Sequence, residues 1–279
     1  SWRAVPELPE TETIARDLSV AVRGAMIVAA LVHRADVLRE LSAAQLVART
    51  QGAAITSVWR RAKCIILDLS TGDRLVVTPR FTGALLIESG TMRVDDSDYT
   101  VLQFRLDDGR TLRYRDVRRL GTVALMTPVR FAAWSAAIGP EPLSGELTPE
   151  RFSVLVRSSQ RAIKTILMDQ KRLAGIGNIY ANEALWRARI RPGRRGSSIT
   201  RAESAALLAE IRAVLTRSIE LRGTSFRDYV DAFGAKGGFV AELQVYGREG
   251  AACTRCGATL VGHHKFEGRI TVFCRGCQS

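Results

Sequence analysis

Two cysteine pairs near the end of the chain constrain it more than any other feature. Cys253 and Cys256 enclose two residues, Cys274 and Cys277 enclose two more, and 17 residues separate the pairs. Each C-x-x-C turn aims two thiolates at one point. Both pairs share one tetrahedral ion if the stretch between them folds back as a hairpin. Two disulfides are the competing reading. The start of the sequence lacks a charged-then-apolar leader of the secretory kind, and the tight pairs favour zinc. Four thiolates leave no position for water, so one structural Zn2+ is expected at Cys253, Cys256, Cys274 and Cys277. The fifth cysteine, Cys64, lies in an apolar run and reads as an inert core residue. His263 and His264, inside the hairpin, read as solvent-facing.

Upstream, apolar periodicity divides the chain into two kinds of structure. Residues 9–22 predict a helix, with Ile14, Leu18 and Val22 on one face and Glu10 and Glu12 at its positive end. Residues 25–125 read as mostly antiparallel strands. Ser70-Thr71-Gly72-Asp73 turns between Cys64–Leu69 and Leu75–Val77, and Asp107-Asp108-Gly109-Arg110 turns between two alternating runs. Gly139-Pro140-Glu141-Pro142-Leu143-Ser144-Gly145 reads as a linker. After it the pattern is helical. Thr148-Pro149-Glu150 opens one helix, and the capping box Thr200-x-x-Glu203 opens another that ends at Gly223. No apolar run reaches the roughly 18 residues of a membrane span.

The chain is basic, with 41 Lys and Arg against 28 Asp and Glu. The excess is lopsided: 19 against 17 in residues 1–149, and 22 against 11 in residues 150–279. The second half therefore carries the main attraction for a polyanion, most simply nucleic acid. Only Lys63, Lys164, Lys171, Lys236 and Lys265 are lysines; the other 36 basic residues are arginines. Arginine suits phosphate but cannot serve as an amine nucleophile.

Three segments then resemble one family. Pro6-Glu7-Leu8-Pro9-Glu10 resembles the catalytic start of the bacterial formamidopyrimidine-DNA glycosylases. Lys164-Thr165-Ile166-Leu167-Met168-Asp169-Gln170-Lys171, running into Gly175-Ile176-Gly177-Asn178-Ile179-Tyr180, looks like their helix–two-turn–helix motif. Val245-Tyr246-Gly247-Arg248 resembles the entry to their zinc finger. The implied fold is α+β: an N-terminal β-sandwich with flanking helices, then a helix–two-turn–helix domain with a zinc-finger hairpin. The corresponding division is 6–138, a linker at 139–147, 148–240 and 241–279. DNA is expected in the cleft between the halves, the target nucleotide flipped out of the stack.

The resemblance also implies roles. Pro6 is the amine nucleophile, Glu7 the acid/base that opens the sugar ring, and Glu10 helps place the sugar. Lys63 matches the family's strand lysine, which contacts phosphate and assists proton transfer. Lys164 joins the DNA-contacting set, and Asn178 and Arg269 match the pair that pinches a phosphate. Phe81, Arg119 and Leu120 fall where the family fills the gap left by the flipped base. The family commonly uses methionine, arginine and phenylalanine there, so the apolar roles are exchanged in this chain. Residues 224–239 match the base-capping loop at full length, which favours purine lesions. The implied activity is removal of oxidised purines from damaged double-stranded DNA, followed by strand cleavage. An endonuclease VIII-like pyrimidine enzyme and a catalytically silent lesion binder are the alternatives. A cytoplasmic, nucleoid-associated bacterial monomer with no membrane partner is expected.

Residues 1–5 precede Pro6, and a proline nitrogen inside a peptide bond is an amide with its lone pair delocalised. The chemistry requires a mature chain that begins at Pro6. A GTG start codon at Val5, followed by methionine removal, would produce one.

Overall fold

The computed structural model describes residues 5–89, 99–266 and 268–279. Residues 1–4, which precede Val5 in the reading above, and the side chain of Lys265 lie outside the description. Two compact units emerge. One runs as far as Ala136 and regains Leu221–Gly238; the other takes Ala137–Glu220 and Phe239–Ser279.

The first unit is a sandwich. Helix α1 (Leu8–Ala21) leads into β1 (Ile27–Val32), β2 (Leu38–Arg39) and helix α2 (Ala43–Thr50). Strands β3 (Ile55–Arg61), β4 (Cys64–Leu69), β5 (Arg74–Thr78), β6 (Gly83–Ser89), β7 (Thr100–Leu106), β8 (Arg110–Asp116) and β9 (Thr122–Met126) follow, and α3 (Pro128–Ala136) closes the run. One sheet has the order β1-β7-β8-β6 and the other β2-β9-β5-β4-β3; among the described residues of the unit only the β2–β9 pairing is parallel. Strand period explains the layers. Ile65 and Leu67 of β4 face the sandwich core with Leu85, Leu102, Phe104 and Leu112, and α1 adds Ile14 and Leu18. The alternate residues Cys64 and Ile66 face outward, where Phe131 of α3 covers them beside Trp59 and Trp134. A strand buried on both faces reads as the continuous apolar run Cys64–Leu67 rather than as alternation. Helix α2 went unforeseen, although Ser42 and Gln45 form a reciprocal capping box before it.

Four helices build the second unit: α4 (Pro149–Arg157), α5 (Ile163–Met168), α6 (Asn178–Arg187) and α7 (Arg201–Glu220). Thr148 caps α4 through the Arg151 N–H, and Thr200 and Glu203 cap α7 reciprocally. Helix α7 ends at Glu220 rather than at Gly223, because Arg222 already lies in the left-handed region at φ 63°. Tyr180 of α6 bonds the Ser218 hydroxyl at 2.6 Å inside the helical core. The proline- and glycine-rich segment 139–147 is bound down: the Arg212 guanidinium donates to the carbonyls of Pro142, Ser144 and Leu147 at 2.7–3.0 Å. The terminal hairpin pairs β10 (Leu260–Phe266) with β11 (Arg269–Cys274).

Helix α1 is fixed to the first unit's sheet by charge as well as by packing. The Glu12 carboxylate meets the Arg60 guanidinium of β3 at 2.8 Å, with Arg60 nearly buried. Burial alone would raise the Glu12 carboxyl, but Arg60 and Arg16 outweigh it and hold the group below its ordinary value of 4.5. A depressed carboxyl stabilises the fold above its ordinary value and loses that contribution as pH falls through the depressed one. Glu12→Gln is therefore expected to cost about 1 kcal/mol at neutral pH. Urea titrations of both chains should show the gap narrowing steadily below pH 4.5.

Candidate functional site

In the first unit, the residues proposed for chemistry gather at the start of α1. Pro6 is buried, and Glu7, the N-cap of the helix, is 3% exposed. The positive end of the helix favours negative charge at Glu7. Glu10, one turn on and 1% exposed, accepts the Glu7 N–H on Oε2 at 2.9 Å. Lys63 is half-buried and occupies the two-residue turn between β3 and β4, not a strand. The Arg60 side chain that holds Glu12 also donates to the Ala62 carbonyl beside Lys63, so one arginine links the helix to that turn.

Phe81, Arg119 and Leu120 lie on two neighbouring turns of the same unit. Phe81 has φ 45° and Arg119 φ 50°, both left-handed and unfavourable for residues other than glycine. Asp116, 1% exposed, compensates by holding both turns. Its Oδ1 accepts the Thr82 hydroxyl at 2.6 Å and the Arg118 N–H at 3.2 Å, and its Oδ2 accepts the Gly121 N–H at 2.8 Å. Tyr114 fills the space behind. A Cβ on Gly83 would stand 2.8 Å from its hydroxyl, and one on Gly121 would overlap it. Burial and the Asp116 charge push the Tyr114 phenol well above its usual range, so it stays a neutral donor. The Arg118 guanidinium lies 5.0 Å from the Phe81 ring centroid, Arg119 pairs with Asp36 at 3.1 Å, and Leu120 is 39% exposed. Asp116 stood in the sequence beside these residues without an assigned role. Nothing local in its neighbours signals that it would be buried.

The Leu221–Gly238 segment, which holds all but the last of residues 224–239 matched to the capping loop, packs on α1 and the sandwich. Thr224 donates its N–H to Glu10 Oε1 at 2.8 Å, and Arg222 bonds Asp17 of α1 at 2.6 Å. Ala232 accepts the Ile87 N–H at 2.9 Å on the free side of the edge strand β6. Phe233 at the tip is 62% exposed.

In the second unit, the DNA-contacting candidates divide. Arg269 is exposed at the start of β11. Asn178 opens α6; its side-chain oxygen accepts from Asn182, whose own oxygen accepts the Val272 N–H of β11 at 3.2 Å. Lys164 is fully buried, so it does not present its ammonium at the surface as expected. The Nζ donates to the Ile270 carbonyl at 3.1 Å and the Thr271 hydroxyl at 2.6 Å, bracing β11 beside Arg269. Glu183 of α6, also fully buried, accepts the N–H groups of Gln244, Val245 and Tyr246 at 2.9–3.1 Å and anchors the approach to the cysteines. Burial raises its carboxyl, against the pull of those three N–H groups.

The four thiols fit a single ion. All four Sγ atoms lie within 4.8 Å of one another, with Cys253–Cys277 at 3.8 Å and Cys256–Cys274 at 3.4 Å. A tetrahedron with bonds of about 2.3 Å has edges of about 3.8 Å. Trp186 donates its indole N–H to Cys253 Sγ at 3.4 Å, as suits a thiolate. His264 is exposed, whereas His263 packs on Phe266 and Phe273 with centroids at 5.2 and 5.5 Å. Among the described residues no helix is long and apolar enough to cross a membrane.

Comparison with known proteins gives the same picture. The model of the formamidopyrimidine-DNA glycosylase N-terminal domain matches residues 5–123, and that of the formamidopyrimidine-DNA glycosylase H2TH domain matches residues 138–230. The chain is 38% identical to the formamidopyrimidine-DNA glycosylase of Carboxydothermus hydrogenoformans, over 98% of this chain and 100% of that one. It is 41% identical to that of Roseiflexus sp. over the same shares. Among solved structures it is similar to a Lactococcus lactis Fpg mutant in complex with a Fapy-dG containing DNA, with TM-score 0.89 and 32% identity over 98% of this chain and 100% of that one. The Lactococcus lactis Fpg in complex with an abasic site containing DNA gives TM-score 0.89 and 32% identity, over 98% and 99%.

The thiol geometry generates a prediction. Elemental analysis of the purified chain should find one zinc per molecule, and Cys256→Ser should lose it together with DNA affinity. Retention of a full equivalent by that variant would contradict a four-thiolate site.

Proposed function

The chain belongs to the formamidopyrimidine-DNA glycosylase family, the DNA glycosylases of base-excision repair, and on that footing we propose that it removes oxidised purines from duplex DNA and cleaves the abasic site it makes. The observation that carries this reading is the pairing of Pro6 with Glu7 at the buried head of α1, with the Leu221–Gly238 segment bonded to that same turn.

The proposed reaction starts from the Pro6 nitrogen as a free secondary amine, so it includes a mature N-terminus at Pro6. The amine attacks the anomeric carbon of the flipped nucleotide while Glu7 protonates the opening sugar ring. The glycosidic bond breaks, and the damaged base departs with the electron pair and a proton. The iminium left behind acidifies the adjacent C–H. Loss of that proton expels the 3′ phosphate, and a second elimination expels the 5′ phosphate. Lys63 is placed in this scheme as a phosphate contact and proton carrier. Asn178 and Arg269 pinch the backbone, and Phe81, Arg119 and Leu120 fill the vacated stack. A zinc ion on the four thiolates keeps the β10–β11 hairpin in shape and takes no part in the chemistry.

Borohydride trapping on an 8-oxoguanine duplex tests the scheme, because only an imine is reduced to a stable adduct. Mass mapping should locate the adduct on Pro6. Glu7→Gln should bind the duplex within about twofold of the parent yet trap no adduct from it; a parallel loss of binding would overturn the role of Glu7. Arg269→Ala should weaken binding and flatten the plot of log affinity against log salt by about one unit. An unchanged slope would remove Arg269 from the phosphate contacts.

A further inference from the structure

Glu10 spends its two carboxylate oxygens on partners 217 residues apart in the sequence: Oε2 accepts the Glu7 N–H at 2.9 Å and Oε1 the Thr224 N–H at 2.8 Å. We propose that Glu10 is a positioning residue that couples the seating of the Leu221–Gly238 segment to the placement of Glu7. The inference rests on the function proposed above, since it concerns when the acid is correctly aimed.

The surroundings support a coupling device rather than a lone cap. The Tyr229 hydroxyl donates to the Glu10 carbonyl at 3.3 Å and to the Arg222 carbonyl at 3.2 Å, so the main chain of the same turn is held as well. Gly223 has φ +86°, and a Cβ there would lie 2.9 Å from the Tyr229 ring and 3.1 Å from Glu10 Oε1. The segment can approach Glu10 this closely only because that position carries no side chain. Arg222 reaches Asp17 on α1 and Asp231 within the segment. Asp231 in turn gathers the N–H groups of Phe233 and Ala235, both at 2.9 Å. The base of the loop is thus bonded to α1, while Phe233 at the tip stays exposed.

A carboxylate is required, because both partners are donors. In a glutamine the amide nitrogen would face one of the two N–H groups, donor against donor. A loop that has not seated withdraws Thr224 and loosens the carboxylate that fixes Glu7. Base excision needs the loop and Glu7 together. Cleavage of a ready-made abasic site has no base to cap.

Two variants of the full chain test this. Glu10→Gln removes the bridge, and Asp231→Asn loosens the loop through Arg222, Phe233 and Ala235. Hydrogen exchange on the free protein should accelerate at least tenfold across residues 222–232 in Glu10→Gln. In Asp231→Asn the acceleration should reach residues 7–11 as well, by at least threefold. Single-turnover base excision from an 8-oxoguanine duplex should slow at least tenfold in both variants, and strand cleavage at a preformed abasic site should slow by less than threefold in Asp231→Asn. Loop exchange unchanged in Glu10→Gln, exchange at residues 7–11 unchanged in Asp231→Asn, or equal slowing of both reactions in Asp231→Asn would each overturn the coupling. If Glu10→Gln does not fold, Asp231→Asn carries the test. If the parent excises no base from any duplex, the proposed function fails, and the exchange measurements still decide the coupling.

Discussion

A carboxylate taken out of water must collect hydrogen bonds from whatever surrounds it, and in this chain much of what surrounds it is main chain outside the regular elements. Glu10, Asp116, Glu183 and Asp231 are each 1% exposed or less. Each accepts at least one N–H from a turn or loop: Thr224 at Glu10, Arg118 and Gly121 at Asp116, residues 244–246 at Glu183, Phe233 and Ala235 at Asp231. Those at Glu10, Asp116 and Asp231 belong to the turns and the loop that the proposed function uses, and those at Glu183 lead to the four thiols. These loops bury some apolar side chains, Tyr229, Ala232 and Val245 among them, and a charged acceptor beneath each adds main-chain order to that packing.

Much of the frame was legible because it is written locally. The C-x-x-C pairs announced their hairpin, apolar runs about a turn announced β4–β5, alternating runs about a turn announced β7–β8, and the Thr148 and Thr200 caps marked their helices within a residue. What escaped depends on partners far along the chain. Lys164, placed in the DNA-contacting set by its resemblance, is buried against the hairpin more than 100 residues later. The return of Leu221–Gly238 to the first unit has no periodicity to announce it, because it rests on two buried side chains, Tyr229 and Ala232, and on scattered bonds to Glu10, Asp17 and Ile87. Helix α2 was missed despite its capping box because its eight residues interrupt a stretch dominated by strand signals.

The arginine excess also reads differently once the side chains are placed. Arg60 joins α1 to β3, Arg212 binds segment 139–147, and Arg222 ties the loop to α1. Arg255 lies over the Trp186 ring at 4.0 Å and bonds its carbonyl. These guanidiniums serve as many-handed donors to carbonyls and carboxylates inside one unit. Which arginines are open to a polyanion is decided by exposure, as at Arg269, and not by their number.

The two turns above Tyr114 separate a frame from its tips. Asp116, Tyr114, Gly83 and Gly121 set the backbone shape, and none of them is Phe81, Arg119 or Leu120. The side chain presented at each tip can therefore be exchanged without rebuilding the turn beneath it, whereas a change to either glycine disturbs both turns at once through the shared tyrosine. Such an arrangement confines a substitution at Phe81, Arg119 or Leu120 to the tip it sits on, and leaves the frame of buried carboxylate, phenol and glycines as it was.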